Sequence, residues 1–186
     1  MKKFLLRISL LLVSAACLCG CSSDDGTYST YSHYKASFSY TNVLTTAPLK
    51  NSLVSPGEFC TIRLTLNKRL LFKSLYQTEE KDVTAAAYYQ TFKCLSGFIA
   101  GLTNVPDPDK IDLTNVCYDL ACPNCFKDDA ISRDLTLQES GYAYCPRCKR
   151  KYNLNMQGLV CEGSAGKPLE RYHIHYDGAN NMTIYN

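Results

Sequence analysis

Two turns, Cys122-Pro123-Asn124-Cys125 and Cys145-Pro146-Arg147-Cys148, separated by nineteen residues, constrain this chain more than any other feature. A C-P-x-C turn brings two sulfurs to one point, where backbone amides of the following residues can hydrogen-bond the thiolates and spread their charge. Four such sulfurs complete a tetrahedral site with no position open to a substrate, which suits zinc or a single iron. Two local disulfides, or a C-x-x-C dithiol of the thioredoxin kind, are the competing readings. One C-x-x-C would be common to all of these, whereas two at this separation favour a metal. Neither turn shows a helix start, and a helix N-terminus is what usually activates an exchanging dithiol.

The chain starts with Lys2, Lys3 and Arg7 ahead of an apolar run, Ile8 to Ala16, that is short for a membrane-spanning helix. Residues 1–20 read as a secretory signal. Its end, Leu18-Cys19-Gly20-Cys21, resembles the lipobox of bacterial lipoproteins, and the resemblance implies lipid on Cys21 as the first mature residue. Ser22 after the cysteine implies outer-membrane sorting, and Ser22-Ser23-Asp24-Asp25 is similar to the export tags of some surface lipoproteins. The location implied is the cell envelope, on the periplasmic or the surface face.

Removing the signal takes three of the 20 basic residues and none of the 17 acidic ones, so the mature chain is formally neutral. A neutral, secreted chain has no electrostatic footprint for nucleic acid. Of 186 residues, 166 remain, a length suited to one domain with a sizeable core. No second segment approaches membrane-spanning length, so the membrane is expected to be reached by lipid alone.

Residues 21–36, rich in Ser, Thr, Tyr and Asp, read as a lipidated flexible tether, although their tyrosines could instead pack on the domain. The domain itself is expected over residues 37–186. After the Ser55-Pro56-Gly57 turn, Cys60, Ile62, Leu64 and Leu66 alternate with polar residues as a half-buried strand, and Leu70 to Tyr76 is its expected partner. Gln77 to Asp82 reads as a charged loop, and a strand is expected from Tyr89 to Ile99. Gly97 and Gly101, on either side of an apolar run, predict close backbone packing. Val116 to Ala121 delivers the first C-P-x-C turn, and Ile131 to Leu137 pairs with Tyr142 to Tyr144, which delivers the second. Leu159 to Cys161, Glu170 to Tyr176 and Met182 to Tyr185 complete the strands, the last two joined through Asp177-Gly178.

Of eleven cysteines, two leave with the signal, one takes lipid and four sit in the turns, which leaves Cys60, Cys94, Cys117 and Cys161. An oxidising envelope permits disulfides among them in any of three pairings, and each also sits among apolar residues as a buried free thiol does. Lys149, Arg150 and Lys151 form the one basic run, placed to offset thiolate charge, to meet an anionic partner, or simply to be solvated at a strand end.

The stretch from Tyr144 through Cys145-Pro146-Arg147-Cys148 to Tyr152-Asn153-Leu154 is similar to the second cluster box of Rieske proteins, and Gly158-Leu159-Val160, Gly163-Ser164-Ala165 and Lys167-Pro168-Leu169-Glu170-Arg171-Tyr172 resemble that family's later strands and proline loop. The resemblance is to Rieske-like lipoproteins of the Bacteroidetes type. It implies an all-β fold, an antiparallel β-sandwich with a small rubredoxin-like or zinc-ribbon-like metal subdomain at about 117–155. Rieske clusters bind one iron through two histidines, and Cys125 and Cys148 stand in those places here. The chain's histidines, His33, His173 and His175, lie outside both boxes, the last two on one face of a late strand. Without histidine ligands, the family's high potential and proton-coupled chemistry are not expected.

The expected function is a membrane-anchored, non-catalytic metal-binding module in which Cys122, Cys125, Cys145 and Cys148 hold structural Zn2+, with an unknown protein partner. The alternative is an electron carrier holding iron or a 2Fe-2S cluster at the same cysteines, with a redox partner. No activated serine, paired carboxylates or cofactor loop is legible, so no enzyme is expected.

Overall fold

The computed structural model describes residues 31–82, 92–107 and 111–186. Among them the chain is mostly β, with two antiparallel sheets. The larger has eight strands: β1 (Ser37–Tyr40), β2 (Phe59–Leu64), β3 (Arg69–Lys73), β4 (Thr78–Asp82), β5 (Phe98–Leu102), β6 (Asn115–Asp119), β11 (Arg171–Tyr176) and β12 (Met182–Tyr185). Their spatial order is β1-β12-β11-β6-β5-β2-β3-β4. The smaller sheet, inserted between β6 and β11, contains β7 (Thr136–Gln138), β8 (Tyr142–Tyr144), β9 (Lys151–Asn153) and β10 (Leu159–Glu162) in the order β10-β9-β8-β7. Two helices accompany them, α1 (Ala47–Val54) and α2 (Pro123–Asp129).

The period-two pattern of the central strands divides the interior in two. On β5, Phe98 and Ala100 face one core while Ile99 faces the other, and on β6 Cys117 faces the first while Val116 and Tyr118 face the second. The first core lies inside the curl of the larger sheet, with Leu49 and Leu53 of α1 packed into it. That curl follows from contacts between strands far apart in the order: Tyr40 of β1 meets Phe72 of β3 at 5.0 Å between ring centroids. The second core lies between the outer face of the sheet and the inserted unit. It joins Phe59, Ile99 and Tyr118 to Leu135, Ala143, Tyr152, Leu154 and the metal-site cysteines. The inserted unit is therefore fastened to the sheet by a shared apolar layer, which holds the cysteine turns in place. Gly97 and Gly101 confirm the close packing expected of them, because a Cβ would run into the Ile62 carbonyl at 2.7 Å and, at Gly101, into the Glu58 carbonyl.

Several boundaries differ from expectation. The domain begins before Ser37: Tyr31 stacks on His173 at 3.7 Å, Tyr34 meets Phe126 edge-on at 5.7 Å, and the Ser32 amide donates to the Arg171 carbonyl at 2.7 Å. Tyr31, Ser32 and Tyr34 thus contact the domain, the alternative open to the tyrosines, while His33, Tyr34 and Lys35 remain exposed. Thr78–Asp82 is a strand, not a loop, held at the sheet edge by Arg69 pairing with Glu80 and Asp82, both at 3.0 Å. The strand expected from Tyr89 falls partly on residues 83–91, outside the described residues, and its observed part starts at Phe98. The inserted unit runs past residue 155, since β10 closes its sheet.

Candidate metal centre

The two C-P-x-C turns are built differently. At the end of β6, the fully buried Asp119 accepts hydrogen bonds from the Ala121 amide at 2.8 Å, the Leu95 amide at 2.9 Å and the Tyr172 hydroxyl at 2.9 Å. These fix the chain's exit toward Cys122, whose amide donates to the Arg133 carbonyl at 2.8 Å. Cys122 then caps α2, with Pro123 in the first helical turn where its missing N–H costs nothing. A helix start is therefore present where none was expected; proline at the first helical position is as compatible with a helix as with a turn. The second turn, between β8 and β9, is closed by backbone hydrogen bonds from Cys145 to the Arg150 carbonyl at 2.9 Å and from Lys149 to the Cys145 carbonyl at 3.0 Å. Lys149 takes a left-handed φ of 60° to make it.

The result brings Cys122, Cys125, Cys145 and Cys148 together, with all four Sγ atoms within 4.8 Å of one another. Cys122 and Cys148 are 3.6 Å apart and Cys125 and Cys145 are 3.7 Å apart. These separations far exceed a disulfide bond of about 2.05 Å. Four sulfurs bound tetrahedrally at about 2.3 Å from one ion are separated by about 3.8 Å. The cluster is thus of a size to hold a metal ion.

Around the sulfurs, one hydrogen-bond chain is fixed in direction. The Lys167 amide donates to Asn124 Oδ1 at 2.9 Å, which sets the orientation of the Asn124 amide. Asn124 Nδ2 then donates to the Lys167 carbonyl at 3.0 Å and to the Tyr152 hydroxyl oxygen at 2.9 Å. That leaves the Tyr152 O–H proton to point at Cys122 Sγ, 3.2 Å away. Tyr152 is 0% exposed, so this hydroxyl has no water to turn to. Arg150 reaches the loop after β10, donating from Nε to the Ser164 carbonyl at 2.9 Å and from its terminal nitrogen to Ala165 at 3.2 Å. Gly166 packs where a Cβ would lie 2.9 Å from Arg150 Nε.

Three of the cysteines are buried and Cys148 is half-exposed. Burial raises the Cys122 and Cys125 thiols, and the neighbouring Cys145 adds to both shifts. Burial also acts on Cys148, but hydrogen bonds from Arg150 and contact with the neighbouring thiols outweigh it and lower that thiol to about 7. The helix start at Cys122 does not make it an exchanging thiol, because the sulfur is 0% exposed.

Among the described residues the other cysteines, Cys60, Cys94, Cys117 and Cys161, are free. Cys60 and Cys117 pair with Ala100 from opposite sides, two strand spacings or about 9.6 Å apart. That separation is too long for a disulfide. Both are buried, as one of the two expectations had it, and burial raises both thiols. Cys94 is half-buried. Cys161 departs from the buried-thiol expectation: it is exposed, on the opposite face of its strand from Val160, which packs against the second core. His33 is exposed, while His173 stacks between Tyr31 and Tyr185 in the body of the larger sheet, and no histidine belongs to the ligand group.

No protein-family model matches the chain, and no curated protein is detectably similar to it.

Proposed function

We propose that this chain is a membrane-anchored Rieske-like lipoprotein of the cell envelope, a non-catalytic binding module whose four cysteines hold a structural zinc ion. The observation that carries the metal reading is the size of the sulfur cluster, with edges of 3.6 and 3.7 Å around a closed, largely buried point. Closed coordination leaves zinc no site for substrate, so its contribution is to tie α2 to the β8–β9 turn. The Rieske-like reading draws on the small metal-bearing sheet inserted within a larger antiparallel one, together with the motifs after Cys148. The anchor reading draws on Leu18-Cys19-Gly20-Cys21.

A second reading, electron transfer by a single iron at the same cysteines, is favoured by one feature. Cys148 is the ligand residue that is only partly buried, and Tyr152 places an O–H against the buried ligand Cys122, an arrangement that would stabilise a reduced iron. Metal analysis with an absorption spectrum on protein purified anaerobically separates the two. A colourless protein with one zinc supports the structural module and eliminates the carrier; bound iron with visible charge-transfer bands does the reverse.

A further inference from the structure

The basic run after Cys148 divides into residues with different work. Arg150 lies along the surface onto the Ser164 and Ala165 carbonyls and toward Cys148, and is the residue that offsets thiolate charge. Lys151 pairs with Glu162 at 2.8 Å. Arg147 and Lys149 are exposed on either side of the one surface ligand, and neither forms an ion pair among the described residues. Lys149 occupies a left-handed position that glycine would fill without strain, so a cation stands here against backbone preference.

A third exposed cation joins them. Lys167 lies next to Gly166, which touches Arg150, and its backbone is bound to Asn124 between the first two cysteines. All of residues 161–168 are exposed, so this loop carries the surface from the metal turn to Lys167 without interruption. The same surface continues to Tyr31 and Ser32, which line one hollow with Lys167 and Pro168; Glu170 and Arg171 line it too and offset each other in charge.

That continuity sets an orientation. Ten residue steps separate Cys21 from Tyr31. Extended chain covers at most about 36 Å in that length. A lipid on Cys21 would hold this end of the domain toward the bilayer, and its neighbouring cations would face the headgroups.

We propose that Arg147, Lys149 and Lys167 form a membrane-facing surface that binds the phosphodiester headgroups of anionic phospholipid, so that the metal centre is carried against the bilayer. The orientation rests on the lipid-anchor reading above; the headgroup binding does not. With the mature chain formally neutral, attraction to an anionic surface has to come from a local patch such as this one.

The test uses metal-loaded chain from Ser22 onward, which keeps every described residue and omits the lipid site, sedimented with vesicles of phosphatidylglycerol and phosphatidylcholine or of phosphatidylcholine alone. Binding is expected to the anionic vesicles only, and to weaken as salt rises. The variant Arg147→Gln/Lys149→Gln/Lys167→Gln should lose about a hundredfold in partitioning. A comparison variant at exposed cations elsewhere, Lys50→Gln/Lys73→Gln/Lys93→Gln, should stay within about twofold. Retained metal in both variants shows that they are folded. Equal partitioning onto both vesicle types, or an Arg147→Gln/Lys149→Gln/Lys167→Gln variant that binds like the unmodified chain, overturns the proposal. Mass analysis of full-length protein from membranes keeps the anchor separate: acylated Cys21 without vesicle binding sinks this surface alone, and vesicle binding without acylation sinks the anchor alone.

Discussion

Replacing Tyr152 with phenylalanine removes one oxygen from a fully buried position and tests how the protein holds its metal. That oxygen has two partners, Cys122 Sγ at 3.2 Å and Asn124 Nδ2 at 2.9 Å, and they respond in different states. The O–H to sulfur bond is charge-assisted only when Cys122 is a thiolate, that is, when metal is bound. Such bonds contribute about 1.5–3 kcal/mol. Their loss from the loaded state alone therefore weakens metal binding by about 10- to 150-fold, in line with the roughly 10- to 100-fold expected when a group supporting a ligand is removed. The Asn124 N–H is orphaned with or without metal, although its amide keeps the Lys167 carbonyl at 3.0 Å. That orphan lowers unfolding stability by about 1–3 kcal/mol in both states. Chelator competition reads the first effect, and denaturant unfolding of the metal-free protein reads the second. Tyr142→Phe serves as the control, since the Tyr142 ring lies under Lys151 at 4.6 Å, away from the sulfurs. Metal affinity of Tyr152→Phe within about twofold of the unmodified protein would refute the assigned direction of the hydrogen-bond chain.

Elsewhere in the fold, Asp107→Ala should cost about 3–5 kcal/mol, because it strands Arg171, each partner being only 6% exposed; chemical denaturation measures it, and a loss under about 1 kcal/mol would mean that water reaches the pair. Burial raises the Asp119 carboxyl above its usual range, with hydrogen bonds from Ala121, Leu95 and Tyr172 opposing it in part. Its contribution to stability is therefore complete below the unfolded pKa and declines as pH rises through the raised folded value. Unfolding of the unmodified protein and Asp119→Asn between about pH 3 and pH 7 should show a gap that narrows with rising pH, and a widening gap contradicts the assignment. In metal-loaded protein a thiol reagent should label Cys161 first and leave Cys60 and Cys117 untouched until unfolding, which peptide mapping reports.

The cysteine site was legible because its information is local: two residues at fixed spacing specify a turn, and the turn specifies where sulfurs go. The same holds for Met182–Tyr185, found with the bounds expected, whereas the apolar row of Cys60 and Ile62 ends at Leu64, since Leu66 lies beyond the strand and is exposed and the intervening Phe59 and Thr61 are buried too. What escaped notice depends on partners distant in sequence. Thr-Glu-Glu-Lys-Asp at 78–82 has no apolar face, and it becomes a strand because Arg69 supplies counter-charges from β3. The short helix Ala47–Val54 shows little beyond Pro48 at its start and takes its stability from Leu49 and Leu53 entering a core built by other elements. Tyr152 carried a sequence signal only as an aromatic residue in a strand; its contact with Cys122 across 30 residues came from the packing of the small sheet on α2. Cys161 sits among apolar residues in the sequence, but Val160 takes the inward position of β10 and alternation leaves Cys161 outside.

X-ray absorption at the metal edge, on the loaded mature chain, tests the central claim most directly. One ion held by Cys122, Cys125, Cys145 and Cys148 predicts four sulfur scatterers at about 2.3 Å and no metal neighbour. Nitrogen or oxygen in the first shell, or a second metal at close range, would contradict it.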